Sequence, residues 1–147
     1  MKSEIVPFAL ANSGYGWLVR AFDRQGQEFC DVALARISDA RLATSVVLEH
    51  ECLENDIQWQ RIVELELVPH PINVHEDISV ESDFGMKGGR LMVNVRASQV
   101  CSFLRRWDVD CSEKHSLKGK EYRLWLSNRQ AIYGVANLSI APGYDRK

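Results

Sequence analysis

Two arginines set among apolar residues, Arg20 and Arg36, are the side chains best placed to do chemistry in this 147-residue chain. Arg36 alternates onto the same face as Val32 and Leu34, which predicts a partly buried stem. A guanidinium so placed needs an anionic partner. That partner is either a protein carboxylate such as Asp31 or the phosphate of a bound effector. Arg20 lies in the alternating stretch 15–21 and is a second candidate donor, although strand arginines mostly face solvent. Tyr15 and Trp17 complete the candidate set. Trp17 shares a face with Val19, so it reads either as core or as a platform for stacking a base.

Other residues offer less. His70 stands between Pro69 and Pro71 and reads as a loop histidine; His75 falls in the first turn of a predicted helix and faces solvent. Glu49, Glu51, Glu54 and Asp56 form an acidic run without the spacing or glycine of a calcium loop, and a solvated linker is expected there. Lys87-Gly88-Gly89 is a tight turn with no helix directly after it, so no phosphate cradle is expected. Cys30, Cys52, Cys101 and Cys111 form no C-x-x-C pair and the histidines add no ligand spacing, which predicts reduced thiols, no metal and no cofactor. No nucleophile elbow and no H-E-x-x-H motif is present, and no enzymatic activity is expected.

These residues need elements to hold them. Apolar Tyr15, Trp17, Val19 and Ala21 alternate onto one face, Asn12-Ser13-Gly14 is turn chemistry, and 23–27 is a polar hairpin connection to a return strand over 29–37. After the acidic run the periodicity changes. Residues 59–68 predict a strand with Val63, Leu65 and Leu67 on one face, ended by Pro69-His70-Pro71. Asn73 is expected to cap a helix with Glu76 as its capping-box partner, Val74 and Ile78 as its apolar stripe and Gly85 as its left-handed stop. Leu91, Val93 and Val95 alternate as a strand. Ser98 is expected to cap a helix whose Val100, Phe103, Leu104 and Trp107 form one apolar face. Tyr122, Leu124 and Leu126 mark a last strand. This β-α-β-α-β order predicts a small ferredoxin-like α+β domain.

Composition narrows the function. Hydrophobic residues make up 46% and charged residues 26%, the profile of a folded water-exposed domain. No apolar run approaches the roughly 18 residues of a membrane span, and no export signal opens the chain, so no membrane partner and a cytoplasmic setting are expected. Net charge is −2, and no segment has the basic excess that grips duplex DNA.

At the first hairpin the residues become specific. Ile5-Val6-Pro7-Phe8-Ala9-Leu10, then residues 14–22 around Trp17-Leu18-Val19, then residues 29–37, resemble the WYL domain. The resemblance extends through Trp59, residues 65–71, Asp83-Phe84-Gly85-Met86, Gly89, Val95-Arg96, Leu126 and Asn128 to the small C-terminal domain of regulators linked to phage-defence operons. In those regulators a winged-helix domain precedes the WYL domain. The resemblance implies an Sm-like, SH3-type β-barrel that senses nucleotides or nucleic-acid fragments, followed by a domain that makes a homodimer. Under this reading residues 1–44 are a partial barrel whose first strand is missing, 45–58 a linker and 59–147 the ferredoxin-like dimerisation domain. The function implied is the effector-sensing and dimerising portion of a bacterial transcriptional regulator, which contacts DNA only through a winged helix absent from these residues. A free-standing nucleic-acid-binding or accessory module is the alternative. Relatives often carry a histidine at Phe8, polar groups at Gly16 and Leu18 and an arginine at Cys30; Arg20 and Arg36 keep the family's positive charge.

Overall fold

The computed structural model describes residues 2–145, which form two compact units, the first ending at Gln60 and the second beginning at Arg61. In the first unit, β1 (Ile5–Asn12), β2 (Trp17–Asp23) and β3 (Glu28–Ala33) form an antiparallel meander in that order. The β1–β2 turn is built by short polar side chains: the Gly14 N–H donates to Asn12 Oδ1 at 2.8 Å, and the Tyr15 N–H to Ser13 Oγ at 3.2 Å. The β1–β2 register shifts between Pro7 and Ala9. Phe8, at that irregularity, packs edge-on against Phe29 and Trp59.

Strand β2 is central, and Val19, Arg20, Ala21 and Phe22 are buried one after another. A strand buried at successive residues is covered on both faces. Part of that cover comes from the acidic run, where His50 lies edge-on to Phe22 with ring centroids 5.4 Å apart. The run folds into two 3-10 turns, Glu49–Glu51 and Leu53–Asn55, and a single helical turn, α1 (Ile57–Gln60).

Among the described residues the meander is open at β1 and β3, and no closed barrel forms. Two expectations are corrected here. The return strand stops at Ala33, and Leu34–Arg36 turn as a 3-10 helix, so the alternation read through Arg36 ends before it. Trp59 lies in α1 instead of opening the next strand.

The second unit has a four-stranded sheet in the order β5-β4-β7-β6, made by β4 (Ile62–Pro69), β5 (Leu91–Arg96), β6 (Val109–Asp110) and β7 (Leu124–Leu126). Strand β4 is antiparallel to both neighbours, and β6 runs parallel to β7. Val63, Leu65 and Leu67 are buried on one face, as their alternation predicts. They join Val100 and Leu104 of α3 (Ala97–Arg106) in the core. Phe103 is partly buried, whereas Trp107, just past the helix end, is 46% exposed and packs edge-on against Phe84.

The first helix of this unit, α2 (Asp77–Phe84), ends at Gly85 in the left-handed conformation, φ 64°, where a residue without Cβ has no steric penalty. Its start differs from expectation. Glu76 is the N-cap, and the Asn73 amide instead donates to the carbonyls of Leu117 and Tyr122 at 2.8 and 3.0 Å. Ile78 is 81% exposed and Val80 supplies the buried contact. Helix α3 begins at Ala97 with no side-chain cap, and Ser98 is buried inside its first turn. The two-residue β6 also escaped the periodicity. With it the order is β-α-β-α-β-β, not the β-α-β-β-α-β of a ferredoxin-like unit.

Candidate functional site

The four candidate residues sit in very different surroundings. Arg20 is buried, and its guanidinium forks onto Asp56: Nε donates to Oδ2 at 2.7 Å and Nη2 to Oδ1 at 3.0 Å. Asp31, paired across the β2–β3 ladder, stands 3.5 Å from Nη1. Burial works against the Arg20 charge, but the Asp56 hydrogen bonds and the Asp31 charge outweigh it and raise the pKa. Arg20 therefore points inward, the reverse of the expectation for a strand arginine, and the fork that an anion would use is filled by a carboxylate of the chain itself.

Arg24, four residues later and just past the end of β2, repeats the arrangement. Its Nε and Nη2 donate to the two Glu51 oxygens, both at 2.8 Å, and Nη1 donates to Glu4 at 2.6 Å. The Arg24 hydrogen bonds and the Leu48 N–H hold the Glu51 carboxyl down at about 2. Glu51 and Asp56 are 2% and 1% exposed, so two acids expected in a solvated linker are anchors of this unit. Arg24 lay unnoticed in a polar hairpin connection. The signal that could have found it is charge: four acids without a base, in a unit that carries one arginine on β2 and another just past its end.

Arg36 is exposed at the end of the 3-10 turn, and Asp31 faces Arg20 instead. Its stem is not buried, because the strand alternation fails after Ala33. Tyr15 and Trp17 lie at the β1–β2 turn, 67% and 53% exposed. Trp17 pairs with Asn12 at the last register position of the ladder and is not core. Exposed aromatic faces can stack against a flat ligand. The structure thus separates the candidates: Arg20 is committed to an internal clamp, while Arg36, Tyr15 and Trp17 are on the surface.

His70 also departs from its reading. Both His70 and Asp110 are fully buried, with Nε2 and Oδ2 2.8 Å apart. His70 Nδ1 accepts the N–H groups of Ile72 and Asn73 at 3.2 and 3.1 Å, which assigns the proton to Nε2, donating to Asp110. The remaining Asp110 lone pairs accept the N–H groups of Ser112 and Leu117. This pair welds the β4 terminus to β6 and has no solvent path for a substrate. Among the described residues no group of three or more His, Cys, Asp or Glu is placed to hold a metal, and no helix is long and apolar enough to cross a membrane.

Similarity to known proteins is found in the second unit and beyond it. Residues 62–132 match the family described as BrxR transcriptional regulator, C-terminal dimerization domain. The match begins one residue after the boundary of the second compact unit. Over 127 residues, 86% of this chain, the sequence is also 28% identical to the DNA-binding transcriptional repressor CapW of Pseudomonas aeruginosa. The chain spans 41% of that repressor's length. Its similarity is therefore to transcriptional regulators, in a stretch that reaches into both units.

Proposed function

We propose that this chain is the effector-sensing and dimerising portion of a bacterial transcriptional regulator of the phage-defence-associated kind. The observation that carries the reading is that residues 62–132 fall within one compact unit, in a chain whose likeness to a repressor continues into the other. The second unit holds two copies together, and the first is a WYL-type sensing unit. DNA is contacted by a winged-helix domain outside these residues, consistent with a net charge of −2. No catalytic step is assigned, and the cytoplasm is the setting.

The effector is an anion of nucleotide or short-oligonucleotide type. Arg36 supplies charge, and Trp17 and Tyr15 supply exposed rings. Arg20 enters only if the ligand displaces Asp56 from its fork. The test is isothermal titration of the chain with mononucleotides and short oligonucleotides, together with sedimentation velocity. Saturable binding that Arg36→Ala weakens about tenfold, in a dimeric protein, supports both halves of the reading. No binding at millimolar concentration removes the sensing half; a monomer at micromolar concentration removes the dimerising half.

A further inference from the structure

We propose that the outer edge of β5 is the seam between two copies of this chain, with β5 pairing antiparallel to its own symmetry mate and joining two four-stranded sheets into one of eight. The inference rests on the dimerising half of the function proposed above and names the surface that performs it.

The argument begins with edges. An exposed strand edge presents unpaired N–H and C=O groups, and folded proteins blunt it with proline, bulges, charges or shortness. The meander of the first unit does so: β1 carries Pro7 and a register shift between Pro7 and Ala9, and β3 carries Glu28 and Asp31. At the far side of the second sheet, β6 is two residues long. Strand β5 has neither proline nor bulge nor the shortness of β6, and its one charge, Arg96, stands at its last residue. It is six residues, Leu-Met-Val-Asn-Val-Arg, without proline or lysine. Its register against β4 is unbroken from Ile62↔Arg96 to Leu67↔Leu91. Among the described residues no strand pairs with its other side.

Burial points to the same place. On β4 the inward residues Val63, Leu65 and Leu67 are fully buried, yet their register partners Val95, Val93 and Leu91 are only half-buried. The missing cover lies beyond β5. On the opposite face Met92 is 43% exposed. A second copy is the occupant that fits, because a strand paired antiparallel with itself about a two-fold axis is self-complementary by symmetry. The strand also lies within residues 62–132, the stretch matched to a dimerization domain.

The experiment compares the full chain with Met92→Lys/Asn94→Lys and with Ile78→Lys by analytical ultracentrifugation, with melting followed by circular dichroism. Met92, Asn94 and Ile78 are all exposed, so each variant should keep the monomer fold and its melting midpoint. Lysines on β5 set like charges across the seam. The expected result is a dimer dissociation constant at least about tenfold weaker for the β5 variant and unchanged for Ile78→Lys. A wild-type dimer whose affinity is unaffected by the β5 lysines overturns the seam and leaves the dimer reading standing. A monomeric wild type overturns the dimer reading itself. Equal weakening by Ile78→Lys also overturns the seam, since the effect would then not belong to β5.

Discussion

Arg20 and Asp56, 36 residues apart in sequence, form a buried two-pronged ion pair with contacts of 2.7 and 3.0 Å. Removing one partner leaves a charge stranded in a site that is 5% exposed at Arg20 and 1% at Asp56. Arg20→Ala and Asp56→Ala should each destabilise the first unit by about 3 kcal/mol. The double variant should cost clearly less than the sum, with a coupling of at least about 1 kcal/mol, measured by urea unfolding of all four proteins. Additive losses would mean that the two side chains act independently.

The Glu51 carboxyl makes stability pH-dependent. Its pKa is lowered from 4.5 to about 2 by Arg24 and the Leu48 N–H. A depressed carboxyl contributes stability that is fully present above its unfolded value and lost as pH falls through its folded one. The loss should therefore develop between about pH 4.5 and pH 2. Glu4, also lowered, chiefly by Ser45 and Arg24 hydrogen bonds, acts in the same direction. Melting curves of wild type and Glu51→Gln across this range provide the check; a slope identical in the two proteins would exclude Glu51 as a source.

Asp110→Asn should destabilise the second unit although it changes volume little. Both carboxylate oxygens accept hydrogen bonds, one from Ser112 and the other from His70 and Leu117. An amide group must turn its NH2 toward one of these donors. The expected loss is about 2 kcal/mol, the range for an unsatisfied buried polar group. His70→Ala should cost at least as much, because it also strands the Ile72 and Asn73 N–H groups. Chemical denaturation read by far-ultraviolet circular dichroism measures both.

The thiols should divide by burial. Cys101 and Cys111 are 2% and 0% exposed, and burial pushes Cys101 up to about 11 and Cys111 still higher. Cys30 and Cys52 are only partly buried, with burial raising Cys30. Because thiolate is the reactive form, native protein at neutral pH should label at Cys52 first and Cys30 more slowly. Cys101 and Cys111 should label only on unfolding. Mass spectrometry of peptides after timed alkylation distinguishes the sites, and early labelling of Cys111 would contradict the packing.

Arg36→Ala and Trp17→Phe should each change stability by no more than about 0.5 kcal/mol, as exposed substitutions do. Arg20→Ala serves as the destabilised reference in the same thermal scans. A large loss for Arg36→Ala would show that its side chain holds the fold and is not spare for a ligand.

The alternation of Val63, Leu65 and Leu67, the spacing of Val100, Phe103 and Leu104 and the stop at Gly85 were all legible along the chain. Each depends on periodicity or on one residue's backbone freedom, which neighbours in sequence decide. The Arg20–Asp56 and Arg24–Glu51 clamps, the burial of His70 against Asp110, the reassignment of Asn73 and the parallel pairing of β6 with β7 were not legible. Each joins groups between 15 and 49 residues apart, and the free energy of a buried charge or amide depends on what the fold brings to it. Sequence placed acids and arginines in the first unit and a regular, proline-free strand in the second; only the tertiary structure decided that the acids fill the arginines and that the strand is left at an edge. The reason is that hydrogen-bond and charge satisfaction is a property of the assembled interior, whereas amphipathic pattern is a property of the chain.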